Sequence, residues 1–185
     1  YLGGHSDIVG GSIVIKENKE YAEKISFIQN AVGAVPSPFD CYLLTRSIKT
    51  LSVRMKQHNE NAIAVSNYLS NHPKIKKVFF PGTDKRYKEI AEKQMDGFGG
   101  MMSFVIDSDI NGVKTFLKNL NLFTLAESLG GVESLIEHPA IMTHASIDQS
   151  IREKLGISET LLRISVGIED VDDLISDLDQ ALSKI

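Results

Sequence analysis

The chain of 185 residues carries one cysteine, Cys41, so no disulfide can form within it, which fits a reducing, cytoplasmic compartment. Charge of one sign is also scarce. Twenty Lys and Arg against 24 Asp and Glu leave a net charge of −4, without the basic footprint that draws nucleic acid or a membrane surface. No apolar run approaches the roughly 20 residues that a membrane-spanning helix needs. The five histidines (His5, His58, His72, His138, His144) lack zinc-ligand spacing and no cysteine pair accompanies them, so no metal is expected. Internal repeats and low-complexity tracts are missing as well.

What is present is globular: 42% hydrophobic and 24% charged residues, enough for one ordinary domain or a small domain plus part of another. The opening "YLGGHSDIVGG" has neither the phosphate-loop nor the dinucleotide glycine spacing, and its glycines read as a tight turn with close backbone packing. Ser12 to Ile15 reads as a short buried strand and Glu20 to Asn30 as a helix, broken by "GAVPSPFD". Phe39 to Asn71, free of glycine and proline, predicts a long helix or a kinked pair ending near His72-Pro73. Strands and helices then alternate. "IKKVFFP", Phe98–Ile106, "LFTLAES" and "LLRISVG" are strand-like, whereas "DKRYKEIAEKQMD", Asn111–Asn119, "SIDQSIREKLG" and the segment after Glu169 are helical. The pattern is α/β or α+β.

Two stretches carry polar groups suited to a ligand. In "LLRISVG", Leu162 and Ile164 alternate with Arg163 and Ser165, which places Arg163 and Ser165 on one face of a strand. A guanidinium there requires a carboxylate, either a protein Asp or Glu or one belonging to a substrate. Ala126 to Ser146 holds Glu127, Glu133, Ser128, Thr143 and Ser146 around a Gly-Gly turn, equally suited to a small-ligand site and to an ordinary connection.

Four segments in order, "YLGGHSDIVGG", "QNAVGAVPSPFDCYLLTRSIKTLSVRM", "LFTLAESLGGVESLIEHPAIMTHASI" and "GISETLLRISVGIEDVDDLISDLDQAL", resemble the Cys/Met-metabolism family of pyridoxal-phosphate enzymes. The resemblance runs from Tyr1 to the last helix. It implies the fold type I architecture of aspartate-aminotransferase-like enzymes, with residues 1–52 ending a large cofactor-binding domain and residues 53–185 forming a C-terminal α/β small domain. It implies pyridoxal 5'-phosphate as cofactor, with the Schiff-base lysine expected immediately before Tyr1. No catalytic residue is therefore expected in this chain, and no cofactor contact is assigned to it.

For the substrate, the resemblance places Arg163 on the α-carboxylate, with Ser128 beside it and Thr143 in the same pocket. Glu127 would lie near the distal end, and Asn30 would approach a neighbouring subunit's site. The implied activity is trans-sulfuration: cleavage of cystathionine at its γ C–S bond to cysteine, 2-oxobutyrate and ammonia, in a homotetramer with sites shared between subunits. The alternatives are γ-synthase or β-lyase chemistry and, from a different class, a non-catalytic α/β fragment or assembly domain.

Overall fold

A computed structural model describes residues 1–84 and 86–185. The elements run α1 (Lys19–Val32), α2 (Pro38–Ile48), α3 (Leu51–Asn71), β1 (Ile75–Phe79), α4 (Lys88–Gln94), β2 (Met101–Ile106), α5 (Ile110–Lys118), β3 (Thr124–Leu125), β4 (Leu135–Glu137), α6 (Gln149–Lys154), β5 (Leu161–Ser165) and α7 (Val171–Leu182). The chain is α/β with a mixed five-stranded sheet of order β1-β2-β5-β4-β3, parallel only between β3 and β4. No helix among the described residues is long and apolar enough to cross a membrane.

Period-two alternation builds the sheet. Along β2, Met102, Phe104 and Ile106 are buried and their neighbours only partly so. Leu162 and Ile164 of β5 join them, as does Ile136 of β4. Against this face pack α3, α5 and α7, the last through Leu174, Leu178, Ala181 and Leu182, all fully buried. Each leucine so covered stabilises the fold by about 1.5–3 kcal/mol. Ser103, Arg163, Ser165 and Glu137 fall on the opposite face, because β2–β5 and β4–β5 pairing sets Ser103 and Glu137 on either side of Arg163.

Two expectations require correction. Ser12–Ile15 forms no strand: Ile13 and Val14 are 73% and 92% exposed in irregular backbone. An apolar run specifies a need for burial, whereas a strand also needs a ladder partner, and the described residues offer none. Of the long helix or kinked pair expected over Phe39 to Asn71, the structure has the pair, α2 and α3, parted at Lys49–Thr50. The Ser47 carbonyl there accepts from the Thr50 amide, the Thr50 hydroxyl and the Arg54 guanidinium, which ends the first helix without glycine or proline. Finally, β4 lies in a stretch read as a polar loop, too short at three residues to show a period.

Asp177 of α7 joins the helical layer to the β3 approach. It accepts from the amides of Asn121 and Leu122, each at 2.8 Å, and of Phe123 at 3.2 Å. Burial pushes its pKa up, yet these amides together hold it below the usual carboxylate value. Asp177→Ala should destabilise the protein by about 1–3 kcal/mol in urea unfolding, since three backbone donors, that of Phe123 buried, lose their acceptor. Because the folded-state pKa lies below the unfolded one, the stabilisation is present above the ordinary Asp range and is lost as pH falls through the folded value. Below that pH the variant and the wild type should therefore converge.

Candidate functional site

The β4–β5 register makes Glu137 and Arg163 direct cross-strand neighbours on the face away from α3, α5 and α7, where their side chains meet. Arg163 Nη2 forms an ion pair with Glu137 Oε2 and donates to the Ser128 carbonyl at 3.2 Å. The Thr143 hydroxyl donates to the other carboxylate oxygen, Oε1. With that proton committed, His144 Nδ1, 2.8 Å from the same hydroxyl, is the donor to it. Burial is graded through the cluster. The Glu137 side chain is 1% exposed and that of Arg163 27%, so the arginine reaches outward over a buried acid.

Ser128, Thr143 and Arg163 are thus brought together by contact. Their common centre is Glu137, a residue sequence reasoning did not single out. The signal available was the rule that an arginine on an apolar strand needs a carboxylate, together with one acid in "SLIEHP"; what was missing was the register that pairs them. Glu127, next to Ser128, is exposed, and no ion pair engages it among the described residues. Asn30 is not part of the cluster. It sits on exposed α1, in a shallow groove with Ala22, Glu23, Ser26 and Phe27.

Beside the cluster lies a cavity of about 390 Å³, walled by the Tyr1–Ser12 segment on one side and Ser128–Gly131 on the other. Tyr1 is held at several points. Its carbonyl accepts from Arg54 Nη1 at 2.8 Å, and its hydroxyl accepts from the Gly100 amide at 2.9 Å. Its ring stands edge-on to His58 with centroids 5.1 Å apart. Arg54 is 4% exposed and directs Nη2 to the Ser47 carbonyl and Nε to the Thr50 hydroxyl, so carbonyl and hydroxyl oxygens take the place of a carboxylate. Burial lowers the His58 pKa, and the neutral ring donates Nδ1–H to the Val166 carbonyl at 2.7 Å. Burial raises that of the Tyr1 hydroxyl, leaving it protonated as well.

The glycine-rich opening is packed tightly at one end only. A Cβ at Gly4 would collide with the Arg54 guanidinium, whereas Gly10 and Gly11 face open space. Across the cavity, the Gly130 amide donates to the Ser165 hydroxyl at 2.8 Å, fixing the Ser128–Gly131 loop to β5.

Residues 1–183 match the family described as Cys/Met metabolism PLP-dependent enzyme. Among characterised relatives, the chain is 53% identical over all 185 residues to cystathionine gamma-lyase of Dictyostelium discoideum, covering 48% of that protein. It is 54% identical over 98% of its length to cystathionine beta-lyase of Coxiella burnetii, covering 47% of it. A solved structure of cystathionine gamma synthase from Xanthomonas oryzae pv. oryzae, in complex with aminoacrylate and cysteine, superposes on the whole chain with a TM-score of 0.92. The identity is 45%, and 48% of that structure's chain is covered. The chain spans about half the length of the relatives it matches.

Gly130 adopts φ +74°, and a Cβ there would lie 2.7 Å from the Tyr1 amide nitrogen. Gly33, which caps α1 at the same φ, has nothing within 4 Å. Gly33→Ala should therefore lower stability by about 1–2 kcal/mol from the left-handed backbone alone. Gly130→Ala should cost more, because Tyr1 must also move. Equal shifts in thermal midpoint for the two variants would mean that the loop and Tyr1 are not in close contact.

Proposed function

Since the chain belongs to the Cys/Met metabolism family of pyridoxal-phosphate-dependent enzymes, we propose that it supplies the substrate-carboxylate side of a trans-sulfuration enzyme. On this reading the enzyme converts cystathionine and water to cysteine, 2-oxobutyrate and ammonia. The observation that carries the reading is Arg163, a cation on the sheet face away from α3, α5 and α7 whose Nε and Nη1 have no acceptor among the described residues. A guanidinium with free N–H donors takes a carboxylate through charge-assisted hydrogen bonds.

The residues present do not by themselves hold the cofactor. A pyridoxal group is attached through a lysine amine, and no lysine lines the cavity. Attachment is assigned to the part of the protein outside residues 1–185, in keeping with relatives of about twice the length. What this chain contributes is binding and orientation. Arg163 takes the α-carboxylate and Ser128 flanks it. The free carboxylate of Glu127 would face the distal ammonium that cystathionine carries and simpler substrates lack, which supports cystathionine as the substrate.

We also assign residues 1–52 and 53–185 to different packing units. The buried apolar residues of the core begin at Ala62, and α1 buries none of its side chains. Phe27, Val32 and Phe39 are each more than two-thirds exposed, which supports further packing on that surface in a homotetramer. The proposed boundary falls in the first turn of α3, three residues past the break at Lys49–Thr50.

In the full-length enzyme, Arg163→Ala should raise KM and lower kcat/KM by about 10²–10³-fold, equivalent to about 3–4 kcal/mol. Steady-state kinetics with cystathionine reads this directly, and an unchanged efficiency would make Arg163 an ion-pair residue alone. Glu127→Gln should reduce the preference for cystathionine over a γ-substituted amino acid without the distal amine by about fivefold. An unchanged ratio removes Glu127 from substrate selection. Identifying the keto acid released, 2-oxobutyrate or pyruvate, separates γ- from β-cleavage.

A further inference from the structure

We propose that Glu137 is the positioning residue of the carboxylate site: it locks the Arg163 guanidinium through Nη2, so that the remaining donors are presented to a ligand in one fixed orientation. The proposal rests on the reading of Arg163 as the residue that takes a substrate carboxylate.

The geometry is that of a support. Glu137 is 1% exposed and cannot itself reach a ligand, while the side chain it holds is 27% exposed. Both of its carboxylate oxygens are occupied, one by Arg163 and one by the Thr143 hydroxyl. Thr143 therefore acts through Glu137: its hydroxyl proton points at the buried acid and is not available to a substrate oxygen. The Ser128 carbonyl meets the same Nη2 from the loop side, so the nitrogen is held from two directions. That leaves Nε and Nη1, which lie on different edges of the guanidinium plane, so a carboxylate is taken through a charge-assisted hydrogen bond from one of them.

Arginine has a long side chain with many rotamers, and binding through it is weakened by whatever freedom must be lost on contact. Here the loss is incurred on folding, through a cross-strand neighbour fixed by backbone register. Glu137 also has an opposing influence. Its negative charge sits behind the guanidinium and repels an incoming carboxylate. Position and charge can be separated by substitution. Glu137→Gln keeps an acceptor oxygen for Arg163 and discards the charge, and Thr143 can reverse its hydroxyl to accept from the new amide. Glu137→Leu keeps the bulk and discards both.

The test is isothermal calorimetry on the full-length holoenzyme with L-norleucine and n-pentylamine, which share a chain and an amine and differ in the carboxylate. Glu137→Leu should weaken norleucine about tenfold and leave pentylamine within about twofold, whereas Glu137→Gln should bind both within about threefold of wild type. The proposal is overturned if Glu137→Leu weakens both ligands alike, or neither, while Arg163→Leu weakens norleucine alone. If Arg163→Leu also leaves norleucine unchanged, the carboxylate-site reading fails first. Should Glu137→Leu not fold, Thr143→Val decides: a selective loss for norleucine of about threefold or more supports the lock, and no selective loss overturns it.

Discussion

The site depends on an ion pair between neighbouring strands, Glu137 on β4 and Arg163 on β5. The Glu137 carboxylate, 1% exposed, would be costly without its cation, whereas Arg163 reaches partly to solvent. Together they reinforce a register already set by the ladders of β4 to β3 and β5 and by buried Ile136. The same pair gathers the loop carrying Ser128 and the turn carrying Thr143, so one electrostatic contact organises three stretches distant in sequence.

A second cation does comparable work without an acid. Arg54 sits at the joint of α2 and α3 and gives its donors to the Ser47 carbonyl, the Thr50 hydroxyl and the Tyr1 carbonyl. Breaking the helix leaves the Ser47 carbonyl without its usual amide partner, and the guanidinium satisfies it while gripping the start of the chain. The cavity wall formed by Tyr1–Ser12 is thus tied to the helical layer, and the opposite wall is tied to β5 through Ser165 and Gly130. The two walls are positioned by different cations on different layers.

Much of this could be read from the amino-acid order. Strands β1, β2 and β5 and helices α1, α4, α5, α6 and α7 follow from local periodicity and turn residues, because each forms against a core that its own pattern describes. Arg163 was legible as a cation in need of an anion. Glu137 was not, because its role comes from register, a relation between strands that no single segment encodes. A kinked pair was legible over Phe39 to Asn71, but the place of its break at Lys49–Thr50 was not, since it depends on Arg54 several residues on. Ser12–Ile15 misled in the other direction: its composition asks for burial, and the described residues provide no surface to bury it.

Helix α1 has well-defined ends and no buried side chain. Asn18 caps its start, Gly33 closes it, and all 14 residues between remain outside the core. An isolated helix of that length is marginal in water, because nucleation costs nearly as much as the added hydrogen bonds return. Its amides would therefore exchange with solvent through local fraying, while those of β2 and β5 wait for global unfolding. The chain carries a gradient of cooperativity, from a sheet that opens only as a whole to a helix whose persistence is set by what lies against it.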